Sequence, residues 1–269
     1  MSKRMLTQLV TASLWLTIFS PVMAQTTVSY AEDTGAGSAA AATSSTAAQT
    51  TFISNLSSFG VQTLEGFAVG TLISNADTLT FGSTGVTATT TGGLIRGEPF
   101  SGRFAMSGDN YLSTDNNQRL TFSVPITAFG LFVVDANELD NDPATVTVGG
   151  SVLTEAQILA RPFDSVDGIF RIVTERSPGV FEVLFDGGVF PGVDSSAMFV
   201  GLINTANPFR NIILVNGSRG LDAAYLDSFG YDDFIVGTAR VSAVPEPGSL
   251  ALLGLGLAGL VGLLRRRRQ

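Results

Sequence analysis

The chain has 269 residues, 15 basic against 23 acidic, and neither cysteine nor histidine, a length that suits one large β domain flanked by processing segments. Without cysteine no disulfide can brace the fold after export, and without histidine the Ser-His and Cys-His nucleophiles, His-ligated zinc and His general bases are all excluded. No GxSxG elbow or GxxxxGK[ST] phosphate loop occurs, so the main enzyme chemistry left open is a pair of carboxylates of the glycosidase kind.

Residues 1–24 carry the three marks of a secretory signal peptide. Lys3 and Arg4 give the positive start, Leu9 to Phe19 hold most of the apolar stretch, and Val22-Met23-Ala24 places small residues at a cleavage site between Ala24 and Gln25. Removing Lys3, Arg4 and Arg265 to Arg268 from the 15 basic residues leaves nine against 23 acidic, so residues 25–247 carry a net charge of −14 and no lysine. Such a surface repels nucleic acid and anionic lipid, so neither a nucleic-acid partner nor a phosphate-binding role is expected.

Residues 25–51 read as a low-complexity flexible segment. TGAGSAAAATSSTAAQTT, residues 34–51, offers too little apolar surface to offset the entropy of ordering. Its Ser and Thr content would also suit a glycosylated stalk.

From Phe52 the texture changes to short apolar runs broken by Gly, Asn, Asp and Pro, and residues 52–240 are expected to form the folded domain. The alternation is clearest over Arg119 to Ile126, where Leu120, Phe122, Val124 and Ile126 point one way and Thr121 and Ser123 the other, the pattern of a half-buried strand. Pro125 removes a ladder donor and belongs at an edge or bulge. Comparable runs lie at Thr78 to Phe81, Phe129 to Val134, Thr145 to Val148, Ile169 to Val173, Val180 to Phe185, Met198 to Ile203, Ile212 to Val215 and Asp233 to Val236. The expected fold class is all-β, a two-sheet β-sandwich of jelly-roll kind. One short helix is expected, with capping-box spacing at Thr154-Glu155-Ala156-Gln157 and an end near Ala160, before Pro162.

Two acidic groups are candidate metal sites. Asp135, Asn137, Asp140 and Asp142 crowd oxygen ligands onto one loop, which suits calcium. An EF-hand fails there because Leu139 and Asp140 stand where that loop needs an oxygen ligand and a glycine. A solvated acidic loop is the plainer reading. Asp232 and Asp233 are the second group, able to tie a loop through a metal or through backbone amides. For sugar stacking, Tyr111 and Tyr225 are the candidates, because the one tryptophan, Trp15, lies in the signal peptide.

The chain closes on VPEPGSLALLGLGLAGLVGLLRRRRQ, residues 244–269. Gly248 to Leu264 is uncharged, long enough for a short membrane-spanning helix of about 26 Å. Arg265, Arg266, Arg267 and Arg268 follow and would stay on the cytoplasmic side, leaving residues 25–247 outside. Pro245 and Pro247 favour an extended, accessible segment around Glu246. A plain membrane anchor is the simpler alternative.

Pro245, Glu246 and Pro247, the span 248–264 and the arginine run together resemble the PEP-CTERM sorting signal of bacterial envelope proteins. That resemblance implies a transient hold at the inner membrane, then cutting near Pro-Glu-Pro by an exosortase-type membrane processing enzyme. The same tail is sometimes labelled an ice-binding protein C-terminal domain, but Thr89 to Thr91 is a short run and no Thr-x-Thr ladder follows. Further phrases resemble the extracellular domain found ahead of such tails: Glu65-Gly66-Phe67, Tyr111-Leu112, Ala128-Phe129-Gly130-Leu131, Phe199-Val200-Gly201 and Gly230 to Gly237. They imply a β-sandwich akin to carbohydrate-binding modules. The expectation is an exported, non-enzymatic protein of a two-membrane bacterium, adhesive or polysaccharide-associated at the cell surface or in the extracellular matrix; the alternative is a carbohydrate-active enzyme using two carboxylates.

Overall fold

A computed structural model describes residues 26–114, 117–135, 147–148, 152–154, 170–178, 180–187, 195–216 and 229–240. In chain order these form β1 (Thr26–Asp33), α1 (Thr43–Ser54), β2 (Leu56–Gln62), β3 (Thr78–Thr80), β4 (Thr87–Thr90) and β5 (Leu94–Arg96). Then come β6 (Tyr111–Thr114), β7 (Gln118–Ile126), β8 (Ala128–Val134), β9 (Thr147–Val148) and β10 (Val152–Thr154). The last five are β11 (Phe170–Ser177), β12 (Val180–Gly187), β13 (Ala197–Asn204), β14 (Phe209–Asn216) and β15 (Phe229–Ala239).

These strands build two antiparallel sheets. The first has the order β1-β13-β8-β15-β6-β5, with β2 also paired to β15; the second runs β10-β12-β11-β14-β7-β4-β3, with β9 also paired to β12. Alternate residues of each sheet meet in the core between them: Phe129, Leu131 and Val133 from β8 with Leu120 and Phe122 from β7, Ile172 from β11 and Leu214 from β14. The all-β two-sheet expectation is met.

All seven residues of β8 are buried, because α1 covers the first sheet on its outer face. There Phe52 packs with Ala128, Phe132, Phe199 and Ile235. Gly130 and Gly201 pair directly across β8 and β13, and a Cβ on Gly201 would lie 2.5 Å from the Phe52 ring. Two bare positions on adjacent strands thus make the floor on which the ring sits.

The flexible segment expected over residues 25–51 is corrected: residues 26–51 form β1 and most of α1. Ala42 at the helix start supplies no side-chain cap, and the first turn holds no acidic residue. Asp33, at the end of β1, caps it from outside. Its Oδ1 accepts the Ser44 N–H at 3.0 Å and its Oδ2 accepts the Ser45 N–H at 2.8 Å and the Ser45 hydroxyl at 2.5 Å. Burial opposes ionisation of Asp33, but these donors outweigh it and hold the carboxyl below its ordinary value. A cap from β1 and an aromatic anchor at Phe52 order the small-residue stretch between them. Of the helix expected at 154–160, Thr154 ends β10 and the rest lies outside the described residues, as do the signal peptide and the span 248–264. Among the described residues no helix is long and apolar enough to cross a membrane.

Pro125 does sit at a bulge. On β14 only two steps separate Phe209 from Asn211, while their partners on β7, Ile126 and Thr121, are five apart. The extra residues leave the ladder, and Val124, expected to point into the core, is 48% exposed.

Candidate functional site

The strand register gives the sandwich two distinct ends. Thr26 pairs with Asn204, Ile203 with Ala128, and Ala128 with Gly237, so the start of β1 and the finish of β15 share one end. Asp33 pairs with Ala197, Ala197 with Val134, and Val134 with Gly230 at the opposite end. The sequence-selected acidic residues that the structure describes gather toward this second, far end.

Asp232 and Asp233 lie in a bulge of β15, where Asp232 and Ile235 face Phe132 and Gly130 of β8. Asp233 there has φ 46°, a left-handed conformation that Asp tolerates better than most residues. Asp232 is wholly buried. Its Oδ2 accepts the N–H groups of Met106 at 2.7 Å and Ser107 at 3.0 Å, and its Oδ1 accepts the Asp233 N–H at 2.7 Å. Asp233 accepts the Ser107 hydroxyl and the Gln49 amide. Burial, together with the neighbouring Asp233 charge, pushes the Asp232 carboxyl well above its ordinary range despite the three N–H donors. Burial raises Asp233 as well. Of the two roles the sequence leaves open for this pair, the backbone-amide tie is the one the hydrogen bonds form.

Glu65 completes the arrangement, and the sequence reading missed it as a functional position. Its Oε1 accepts the N–H groups of Asp109 at 3.0 Å and Asn110 at 2.7 Å. The loop from Met106 to Asn110 is therefore held at both ends by carboxylates, Asp232 from β15 and Glu65 from the turn after β2. Two of the phrases quoted from the sequence, Glu65-Gly66-Phe67 and Gly230 to Gly237, supply the carboxylates of this clamp, and Tyr111-Leu112 directly follows its loop.

Asp135 is buried at the end of β8 with φ 58°. Its Oδ1 accepts the Ser195 N–H at 3.0 Å, and its own N–H donates to the Ser196 carbonyl at 2.8 Å. Asn137, Asp140, Asp142 and Tyr225 lie outside the described residues. Among the described residues no three carboxylates converge as a metal-ligand group. Tyr111 is corrected: it is fully buried, and its hydroxyl donates to the Glu98 carbonyl at 3.2 Å, because the loop after β5 folds back over it. It offers no face to a sugar.

A cleft of about 330 Å³ opens where β6 meets the starts of β7 and the turn after β4, lined by Leu72, Thr91, Gly93, Ser113, Asn117 and Gln118 among others. Thr114 closes β6 beside Phe229, and Gln118 opens β7, which puts the cleft at the far end. Its floor is pre-set: Thr90 Oγ1 donates to Gln118 Oε1 at 3.1 Å, and Gln118 Nε2 donates to Thr114 Oγ1 at 2.7 Å. Gly93 has φ 127°, and a Cβ there would fall 2.5 Å from Leu112, so the wall must be bare backbone. Leu72 stands 71% exposed at the rim. The named lining residues carry no charge, and hydroxyl and amide groups that both donate and accept suit a neutral polyol.

Two residues past Arg240, the last described position, the chain enters the stretch that carries Pro245-Glu246-Pro247, the uncharged run and the four terminal arginines. Residues 243–268 match the family model of the PEP-CTERM protein-sorting motif. The PEP-CTERM tail marks the protein for export and membrane-associated processing by an exosortase, followed by release to the surface. The match covers the tail and not the sandwich. No curated protein and no solved structure matches the chain.

Proposed function

We propose that the protein works without catalysis at the cell surface or in the extracellular matrix, and that its sandwich binds polysaccharide through the far-end cleft. The observation that supports this is the cleft itself, a preformed groove whose described lining residues are uncharged and hydrogen-bonding, with an exposed Leu72 at its rim. Such a surface can exchange hydrogen bonds with sugar hydroxyls and cover the apolar side of a ring. The adhesive role follows from place: a cleft opposite the end where β15 leads into the tail faces away from whatever holds that tail. The carboxylate-pair enzyme draws no support from Asp232 and Asp233, whose carboxyls are buried and engaged by N–H and hydroxyl donors.

Affinity electrophoresis of the full chain through gels containing neutral polysaccharides tests the reading. Retention by at least one polymer is expected, and Leu72→Ala and Asn117→Ala should each weaken it by about tenfold, near 1.4 kcal/mol. Migration unaffected by every polymer tried, or retention that both variants leave intact, would sink it.

A further inference from the structure

The two ends of the sandwich differ in charge as well as in position. Asp33, Asp135, Asp232 and Asp233 lie toward the far end, with Glu65 and Asp109 in the loops there. The other end is built from the turn between β7 and β8, the connection from β13 to β14, the start of β2 and the close of β15. The described residues of those segments include no aspartate or glutamate. The turn from β11 to β12 reaches the same end, and its described carboxylates, Glu175 and Glu182, are paired with Arg119 and Arg176.

Two guanidiniums stand exposed at this end. Arg210 donates from Nε to the Phe122 carbonyl at 2.9 Å and from Nη2 to that of Ser123 at 3.1 Å; Arg240 donates from Nε to the Leu56 carbonyl at 2.8 Å. Neither has a carboxylate partner among the described residues. Backbone carbonyls fix their direction and leave their charge uncancelled. Val124, 48% exposed, and Phe59, 42% exposed and level with Gly237, add apolar surface beside them. In a domain whose net charge is strongly negative, this segregation is specific to one end.

Only residues 240–244 separate β15 from Pro245. Three more, Pro245 to Pro247, lie outside the span that begins at Gly248; even fully extended these eight residues reach about 27 Å, so an uncut tail in a bilayer tethers this end nearer the lipid than the far end. The seven residues of β8 carry the acidic end about 24 Å farther off at roughly 3.4 Å per residue, about three Debye lengths at physiological salt.

We propose that the end of the sandwich formed by Arg210, Arg240, Val124 and Phe59 is a membrane-facing surface that seats on anionic phospholipid headgroups while the tail is uncut. The proposal rests on the reading of the PEP-CTERM tail as a membrane tether. Phosphate oxygens complete the coordination of the two guanidiniums, Val124 and Phe59 enter the interface, and the cleft is presented outward. Cutting near residues 245–247 then frees a domain whose net negative charge carries it away from the same lipid.

Because the chain has no cysteine, single labels can be placed without removing any. The full chain with Ala206→Cys, in the connection from β13 to β14, or Ala40→Cys, at the far end, is labelled with a fluorophore. It is then inserted into phosphatidylcholine vesicles with or without phosphatidylglycerol, both carrying a headgroup quencher. With phosphatidylglycerol, quenching of the Ala206→Cys label should exceed that of Ala40→Cys severalfold, because the two labels sit at opposite ends of strands about 24 Å long. Omitting the anionic lipid, or adding Arg210→Gln with Arg240→Gln, should cut that ratio. Equal quenching of the two labels on inserted chains, or a ratio indifferent to both arginines and lipid charge, would overturn the surface while leaving the tether intact. A chain that inserts in neither vesicle would overturn the tether reading, and this proposal with it.

Discussion

Phe52→Ala should lower the stability of the sandwich by about 3–5 kcal/mol, the range for emptying a buried aromatic site. That is a large part of the 5–15 kcal/mol of a typical domain. The Phe52 ring is wholly buried, 5.7 Å from the Phe199 ring, which in turn lies 5.1 Å from Phe132. Nothing else in α1 anchors it so well, since Ser45 and Phe52 are its fully buried residues. Loss of the ring uncovers the outer face of β8, β13 and β15 together. A second substitution sharpens the test. Gly201→Ala pushes a methyl into the same ring and should be destabilising alone but less so beside Phe52→Ala, because the cavity relieves the closer clash and leaves only the 2.9 Å approach to the Phe199 ring. Urea unfolding of the four proteins measures both effects. A loss under about 1 kcal/mol for Phe52→Ala would mean that the helix does not cover the sheet.

Asp232→Ala is expected to be comparably damaging. It strips the Met106, Ser107 and Asp233 N–H groups of their acceptor at once, at a cost on the order of 3 kcal/mol or more for donors left without partners. The loop from Met106 to Asn110 would then hang from Glu65 and from the Ser107 hydroxyl bond to Asp233, and its amides should lose exchange protection before the rest of the sandwich. The same carboxyl sets a pH dependence. Its folded value lies above the ordinary 3.8, so above that pH the unfolded chain gives up a proton that the folded chain keeps. The stability this contributes is therefore complete below 3.8 and declines as pH rises through the folded value. Asp233 acts in the same sense, whereas Asp33, held low, loses its contribution only as pH falls below the ordinary range. Unfolding midpoints should drop on going upward from pH 4, and Asp232→Asn, which keeps one acceptor oxygen but cannot titrate, should flatten that drop. A midpoint that instead climbs over this interval would contradict the assigned direction.

What the sequence revealed depended on how locally each element is determined. The tail could be read outright because its meaning lies in residues 244–269 taken in order, with no tertiary partner involved. The described residues of the nine apolar runs fall largely in strands for a related reason: Leu120 and Phe122, or Phe129 to Val134, carry their burial in their own side chains. β4, a run of Thr and Ala, and β6, whose clamp comes from β15, carry little apolar pattern and are held by the main chains of their neighbours. α1 shows the same dependence more sharply. Its cap is Asp33, before the small-residue stretch begins, and its anchor Phe52 rests on glycines 130 and 201, so the composition of residues 34–51 suggests flexibility where distant partners impose order.

The candidate sites divide along the same line. Asp232 and Asp233 stood out by adjacency, yet the groups that decide their role, Met106 and Ser107, lie more than a hundred residues away. Tyr111 read as a surface aromatic because nothing in its vicinity reveals that the loop after β5 returns to cover it. The cleft had no signal of its own: Leu72, Thr91, Ser113 and Gln118 come from four separate segments, and ordinary hydroxyl and amide residues announce no chemistry until the sheets bring them together.

Intact-mass measurement of the protein recovered from outside the cell tests the central claim most directly, that a PEP-CTERM tail delivers this sandwich beyond the membrane and is then cut away. The account predicts a chain beginning at Gln25 and ending within residues 245–248, free of the four terminal arginines. Full-length chain confined to the cytoplasm, or external protein that still carries Arg265 to Arg268, would contradict it.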